Sequence, residues 1–166
     1  MSRGISNYYI HDLLKTRLKL PYFDSVYCAD KVPMSLLKQK NKRYVCTIVN
    51  TSLCKNPGTH FLLLTISPKK IIITDSLALN LKEESPSLIE RLSKSGKIIK
   101  YRFNKSTQDI NGEMCGFHAC LHAMIQSKER FPNQKGLHAI RPNISGEEND
   151  KNVISNITKL IKMNAK

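Results

Sequence analysis

Apolar positions along this chain fall into short blocks, and their spacing changes from one block to the next. Residues 6–20, SNYYIHDLLKTRLKL, put Ile10, Leu13, Leu14 and Leu18 on one helical stripe, with Ser6 or Asn7 as a cap and Pro21 as the stop. Residues 22–43 show no regular period apart from a short helix around MSLLKQK. YVCTIVN (44–50) is β-branched and apolar throughout, which predicts a buried strand. THFLLLTIS (59–67) and KIIITDS (70–76) flank a tight turn at Ser67-Pro68-Lys69 and predict a β-hairpin of core strands. A turn centred on Ser67-Pro68 sets position 60 opposite position 75.

SPSLIERLSKSG (85–96) carries the signals of a helix, with Ser85 as cap, Pro86 in the first turn and Gly96 past the end. KIIKYRF (97–103) predicts another strand, and an apolar helix runs from Cys115 to about Arg130. Residues 131–152 are polar and predict a long excursion. In the tail, KNVISNITKLIKMNAK, Val153, Ile154, Ile157, Leu160 and Ile161 share one face and lysines the other. Together these elements predict a single α+β domain over residues 1–166, a mostly antiparallel central sheet packed between helices.

Composition narrows the class. The 40% hydrophobic fraction suits a soluble core, and the longest strongly apolar run, Phe61 to Ile66, is strand-sized, so no membrane association is expected. Lys and Arg total 27 against 13 acids, a net charge of +14, which favours a polyanionic partner such as nucleic acid unless it only reflects genome composition. Five cysteines with wide spacing and no C-x-x-C argue against a disulfide scaffold or zinc ribbon and for a reducing compartment. Cys46 and Cys120 are expected to fill the core. Cys28 and Cys54 are candidates for pairing or for a regulatory partner.

The candidate chemistry lies in KSTQDINGEMCGFHACLHAM (105–124). Cys115 sits where a loop becomes a helix, a place where free N–H groups lower a thiol's pKa. Gln108, seven positions earlier, can bring a side-chain amide to the point reached by the Cys115 N–H, giving two donors for a developing oxyanion. A nucleophile needs a base and the base an orienting acceptor. His60 enters a core strand after Pro57-Gly58-Thr59, and Asp75 ends the partner strand, so the hairpin offers the pair. His118 and His122, at i and i+4, have zinc-ligand spacing but lack a third ligand and the H-E-x-x-H glutamate, so no metal site is expected. His11 and His138 are expected to face solvent.

The ordered set His60, Asp75, Gln108 and Cys115, carried by GTHF, TDSL, KSTQ and the Cys-Gly pair, resembles the adenovirus-type maturation proteases (adenain). Their cysteine-protease clan also holds the SUMO-specific proteases. PYFDSVYCADK and YVCTIVNT resemble the N-terminal half of the adenoviral enzymes, so the resemblance runs from Pro21 to about Ser127. It implies a papain-like, adenain-like architecture with Cys115 as nucleophile, His60 as base, Asp75 as orienter and Gln108 in the oxyanion hole. It also implies cleavage after glycine in Gly-Xaa-Gly or Gly-Gly contexts, with viral precursor proteins as substrates. The implied setting is a monomer in the virion and infected cell of a small double-stranded DNA virus, virophages among them.

No cofactor is chemically required, but the resemblance implies double-stranded DNA as an activating polyanion. Candidate contacts are Lys38, Lys40, Lys42, Arg43, Lys69, Lys70, Lys97, Lys100, Arg102 and the C-terminal lysines. Three departures stand out: the acid is aspartate, as in the SUMO-protease form; Phe61 stands where the family carries tryptophan; and residues 100–104 hold no cysteine. A viral activator peptide would therefore have to act noncovalently. Rival readings are a ubiquitin-like-protein deconjugating protease, an acetyltransferase effector using the same side chains, and a basic DNA-packaging protein without activity.

Overall fold

The computed structural model describes residues 5–128, 130–132 and 134–164. Five strands form one sheet in sequence order: β1 (Phe23–Cys28), β2 (Val45–Asn50), β3 (Phe61–Ile66), β4 (Lys70–Thr74) and β5 (Ile98–Tyr101). The inner pairings, β2–β3 and β3–β4, are antiparallel, and the outer ones, β1–β2 and β4–β5, are parallel. The sheet is therefore mixed rather than mostly antiparallel. The connections explain the correction. α2 (Met34–Leu37) lies between β1 and β2, and α3 (Leu81–Glu84) and α4 (Pro86–Ser93) lie between β4 and β5. Such crossovers carry the chain back to the end of the sheet where the previous strand began, so the next strand runs parallel.

The hairpin closes one step later than the sequence suggests. Ser67 N–H donates to the Lys70 carbonyl at 2.9 Å. Ile66 pairs with Ile71 and Leu63 with Thr74, so the register differs by two residues from one that sets 60 against 75. Side chains alternate with a period of two, so the shift leaves every residue on its expected face.

Alternation also divides the core. Leu62, Leu64, Ile66, Ile71 and Ile73 face Leu37 of α2, Leu81 of α3 and Leu88 and Leu92 of α4. Phe61, Leu63, Cys46 and Ile48 face the other layer. That layer holds α1 (Asn7–His11) with its π-helical continuation Asp12–Arg17, α5 (Cys115–Gln126) and α6 (Gly146–Asn164). Buried leucines of this kind each contribute about 2–3 kcal/mol by leaving water. α5 stops at Gln126, short of the expected Arg130, and Glu129 lies outside the described residues. Ser85 stands at the N-cap of α4 as expected, but its buried hydroxyl makes no cap hydrogen bond and donates instead to the Thr51 carbonyl at 2.7 Å.

α6 is longer than its apolar pattern predicts, and Ile154 and Ile161 stay exposed while Val153, Ile157 and Leu160 are buried. Its two fully buried asparagines fasten the preceding polar stretch. Asn156 accepts from His138 N–H and donates to the His138 carbonyl, and Asn149 does the same at Arg141. Cys28, at the end of β1, is disulfide-bonded to Cys54 in the β2–β3 connection, whereas Cys46 and Cys120 are buried and free. Among the described residues, no helix is long and apolar enough to cross a membrane.

Candidate active site

Asp75 follows the last residue of β4, and its carboxylate organises the turn that ends the strand. Oδ1 accepts from Leu77 N–H and Oδ2 from Leu79 N–H, both at 2.9 Å, around Ala78 with its positive φ of 49°. The remaining capacity of Oδ1 goes to His60 Nε2 at 2.6 Å. Both side chains are almost wholly buried. His60 precedes β3 and is held by its carbonyl, which accepts from Thr51 N–H at 2.9 Å. The loop behind it is drawn together by the Cys28–Cys54 bond and by a hydroxyl pair, Ser52 with Thr59, at 2.9 Å.

With Nε2 engaged, Nδ1 is the imidazole nitrogen left for Cys115, the first residue of α5. Burial alone would lower the His60 pKa, but the hydrogen bond and charge of Asp75, with the nearby Cys115 thiol, outweigh it and raise it to about 9. Burial likewise opposes ionisation of Cys115. The neighbouring His60 imidazole, with the N–H groups of Phe61 and Gly116, overcomes it and holds the thiol below its ordinary value. Both shifts run in the direction of a thiolate–imidazolium pair. Cys46 shows what burial does without such partners: its pKa rises to about 12.

Gln108 is buried in the connection between β5 and α5, and Ser76 positions it. The Ser76 carbonyl accepts from Thr107 N–H at 2.7 Å and from Gln108 N–H at 3.3 Å, and its hydroxyl donates to Gln108 Oε1. Tying down the amide oxygen aims the amide nitrogen the other way, where it donates to the Gly112 carbonyl at 3.2 Å and, more weakly, to the Asp109 carbonyl at 3.5 Å. His60, Gln108 and Cys115 line one cavity of about 340 Å³, whose wall also includes Gly58, Gly112 and Gly116. A second depression of about 410 Å³ adjoins it through Ile5, Gly58 and Phe61. The hairpin thus brings His60 to Asp75, and the loop before α5 brings Gln108 into the cavity of Cys115. Ser76 was not singled out in the sequence, although its place directly after Asp75 was the available signal.

Among the described residues, His118 and His122 belong to no group of three possible metal ligands. His118 Nε2 pairs with Asp150 Oδ1 at 2.8 Å, and the buried His122 packs its ring against Phe103 at 5.5 Å. The cationic residues fall into two groups. Lys97 Nζ donates to the Gln39 carbonyl at 2.6 Å and the Ser67 carbonyl at 2.8 Å, so it is a structural tie rather than an open phosphate contact. That tie draws the 38–43 loop and the β3–β4 turn together, gathering Lys38, Lys40, Lys42, Lys69 and Lys70, all exposed. This end of the sheet lies a strand's length, about 17 Å, from the His60 end. Arg43 lies over the Tyr22 ring, 5.3 Å from its centroid. Lys100 and Arg102 are exposed on and just beyond the edge strand β5, Lys159 and Lys162 belong to α6, and Lys166 lies outside the described residues.

No family model matches the sequence, and no curated protein matches it. Among solved structures the chain is similar to one described as AvrA delL154 with IP6, CoA, at 13% identity and a TM-score of 0.46. The similarity covers 95% of this chain and 68% of that one. At that identity and score the similarity says nothing about chemistry, which has to come from the site itself.

Proposed function

We propose that the protein is a cysteine endopeptidase of the adenain type, acting on viral precursor proteins at glycine and stimulated by double-stranded DNA. The observation that carries this reading is the buried Asp75–His60 pair at a cavity that His60 lines together with Cys115 and Gln108. In the first step the Cys115 thiolate attacks the scissile carbonyl carbon, forming a C–S bond. The electron pair of the carbonyl moves to oxygen, which is held by Gln108 Nε2 and the Cys115 N–H. Collapse breaks the C–N bond, and the His60 imidazolium gives its proton to the leaving amine. Neutral His60 then takes a proton from water, which attacks the acyl-enzyme and releases the acid and the thiolate. Asp75 keeps the imidazole oriented and stabilises its charged form.

Support for glycine at the cleaved bond comes from the closeness of the walls. A Cβ at Gly116 would fall 2.5 Å from Ile5 Cγ1 and 3.3 Å from Phe61, so side chains already crowd the start of α5. The adjoining depression supports an extended peptide rather than a small molecule. Support for DNA comes from the net charge of +14 and from the lysines gathered at the far end of the sheet, where a polyanion would not obstruct the cleft.

The test is cleavage of peptides with Gly-Xaa-Gly and Gly-Gly sites by wild type and Cys115→Ala, with and without double-stranded DNA. Glycine-directed cleavage that is lost in the variant and rises with DNA is the expected result. Salt-sensitive DNA binding by both proteins with cleavage by neither would move the function to a packaging protein.

A further inference from the structure

An oxyanion hole works only if its donors are fixed before charge develops. One donor proposed here, Gln108, sits on an irregular connection, and the other, the Cys115 N–H, belongs to α5. Ser76 holds Gln108 from the sheet side. On the opposite side the first turns of α6 press against the same peptide. A Cβ at Gly146 would lie 2.5 Å from the Gln108 carbonyl and the Asp109 nitrogen, so only a bare backbone allows the helix this close.

One turn into α6, the Asp150 carboxylate divides itself between the two donor-bearing segments. Oδ2 accepts from the Asp109 N–H at 3.2 Å, directly after Gln108. Oδ1 meets His118 Nε2 at 2.8 Å, one helical turn beyond Cys115. His118 is only 1% exposed and Asp150 14%, so water competes little for either contact. Gly112, whose carbonyl receives the Gln108 amide, also abuts this carboxylate: its Cβ would lie 3.1 Å from Oδ2.

We infer that Asp150 is a positioning residue that sets the distance between the Gln108 amide and the Cys115 N–H by joining the Asp109 N–H to His118. The role rests on the thiol-enzyme reading above. Asp150 touches no reacting atom and acts through Gln108. α6 thereby becomes part of the catalytic apparatus, although its sequence reads as an amphipathic packing helix.

The test compares wild type, Asp150→Ala, Asp150→Asn and Gly146→Ala in two assays: steady-state cleavage of a glycine-site peptide, and alkylation of Cys115 by iodoacetamide, which needs no oxyanion hole. Asp150→Ala should lower kcat by about tenfold or more, with KM and the alkylation rate nearly unchanged. Asp150→Asn should recover most of the loss, since its oxygen still accepts from Asp109 and its amide donates to the other tautomer of His118. Gly146→Ala, which displaces the peptide by bulk alone, should reproduce the kcat loss and serves if Asp150→Ala fails to fold. The positioning role is overturned by unchanged kcat in Asp150→Ala of an active enzyme, or by an alkylation rate that falls in step with kcat. Wild type inert toward peptides and iodoacetamide alike overturns the thiol-enzyme reading and this role with it.

Discussion

Two buried histidines each meet a carboxylate through Nε2, His60 at 2.6 Å and His118 at 2.8 Å, yet their protonation moves in opposite directions. Burial disfavours the charged form of both. At His60 the hydrogen bond and charge of Asp75, with the nearby Cys115 thiol, reverse that penalty and raise the pKa to about 9. At His118 burial wins, and Asp150 alone does not compensate. The surroundings make the difference. His60 shares its cavity with the Cys115 thiol, whereas His118 sits beside His122, itself driven down to about 3 by burial and then by the charges of His118 and Arg102. Asp150 is also more open to water than Asp75, which weakens its field. A histidine–aspartate contact is therefore no signature of catalysis by itself; a nucleophile sharing the cavity is what turns it into one.

The comparison breaks most visibly at the carboxylates. Asp75→Asn should lower turnover by on the order of 10²-fold or more, because the neutral amide no longer favours the imidazolium or fixes its tautomer. His118→Leu should alter Cys115 alkylation by less than about twofold while destabilising the fold by about 1–3 kcal/mol, since it leaves Asp150 half-unpaired. Equal losses of thiol reactivity in both variants would erase the distinction drawn between the two pairs.

A smaller effect sharpens the same contrast through stability. Burial pulls the Asp75 pKa up, but the hydrogen bond and charge of His60 and the N–H groups of Leu79 and Leu77 hold it below 3.8. A carboxylate with a depressed folded-state value contributes stability that is complete above the unfolded value and is lost as pH falls through the folded one. The stability advantage of wild type over Asp75→Asn should thus be larger near about pH 6 than below about pH 4. Urea unfolding at both pH values measures it, and a constant difference would contradict the assignment.

The sequence made the local elements plain and left their assembly hidden. β2, β3, β4 and β5 were legible because continuous apolar runs such as FLLLTI have no other stable home. β1 was not, because Asp24 and Ser25 interrupt its apolar residues and Tyr22, with φ of 61°, hides its start. The parallel outer pairings follow from helices between strands, a clue present in SPSLIERLSKSG and left unused. In the site, Cys115, His60, Asp75 and Gln108 could be named because each residue type suits one chemical task at a strand or helix end. Ser76, Asn149, Asn156 and Asp150 could not, since their work is hydrogen bonding to backbone far along the chain, which no periodicity encodes.

The central claim is that Cys115 is ionised by its neighbour His60. The most direct test is the pH profile of Cys115 alkylation by iodoacetamide, read by mass spectrometry in wild type and His60→Ala. Wild type should reach its plateau rate at a pH below the ordinary thiol value of 9.0, whereas His60→Ala should react slowly there and climb only at or above that value. A wild-type profile that rises through the ordinary thiol range and overlays that of His60→Ala would show a buried structural thiol and contradict the account.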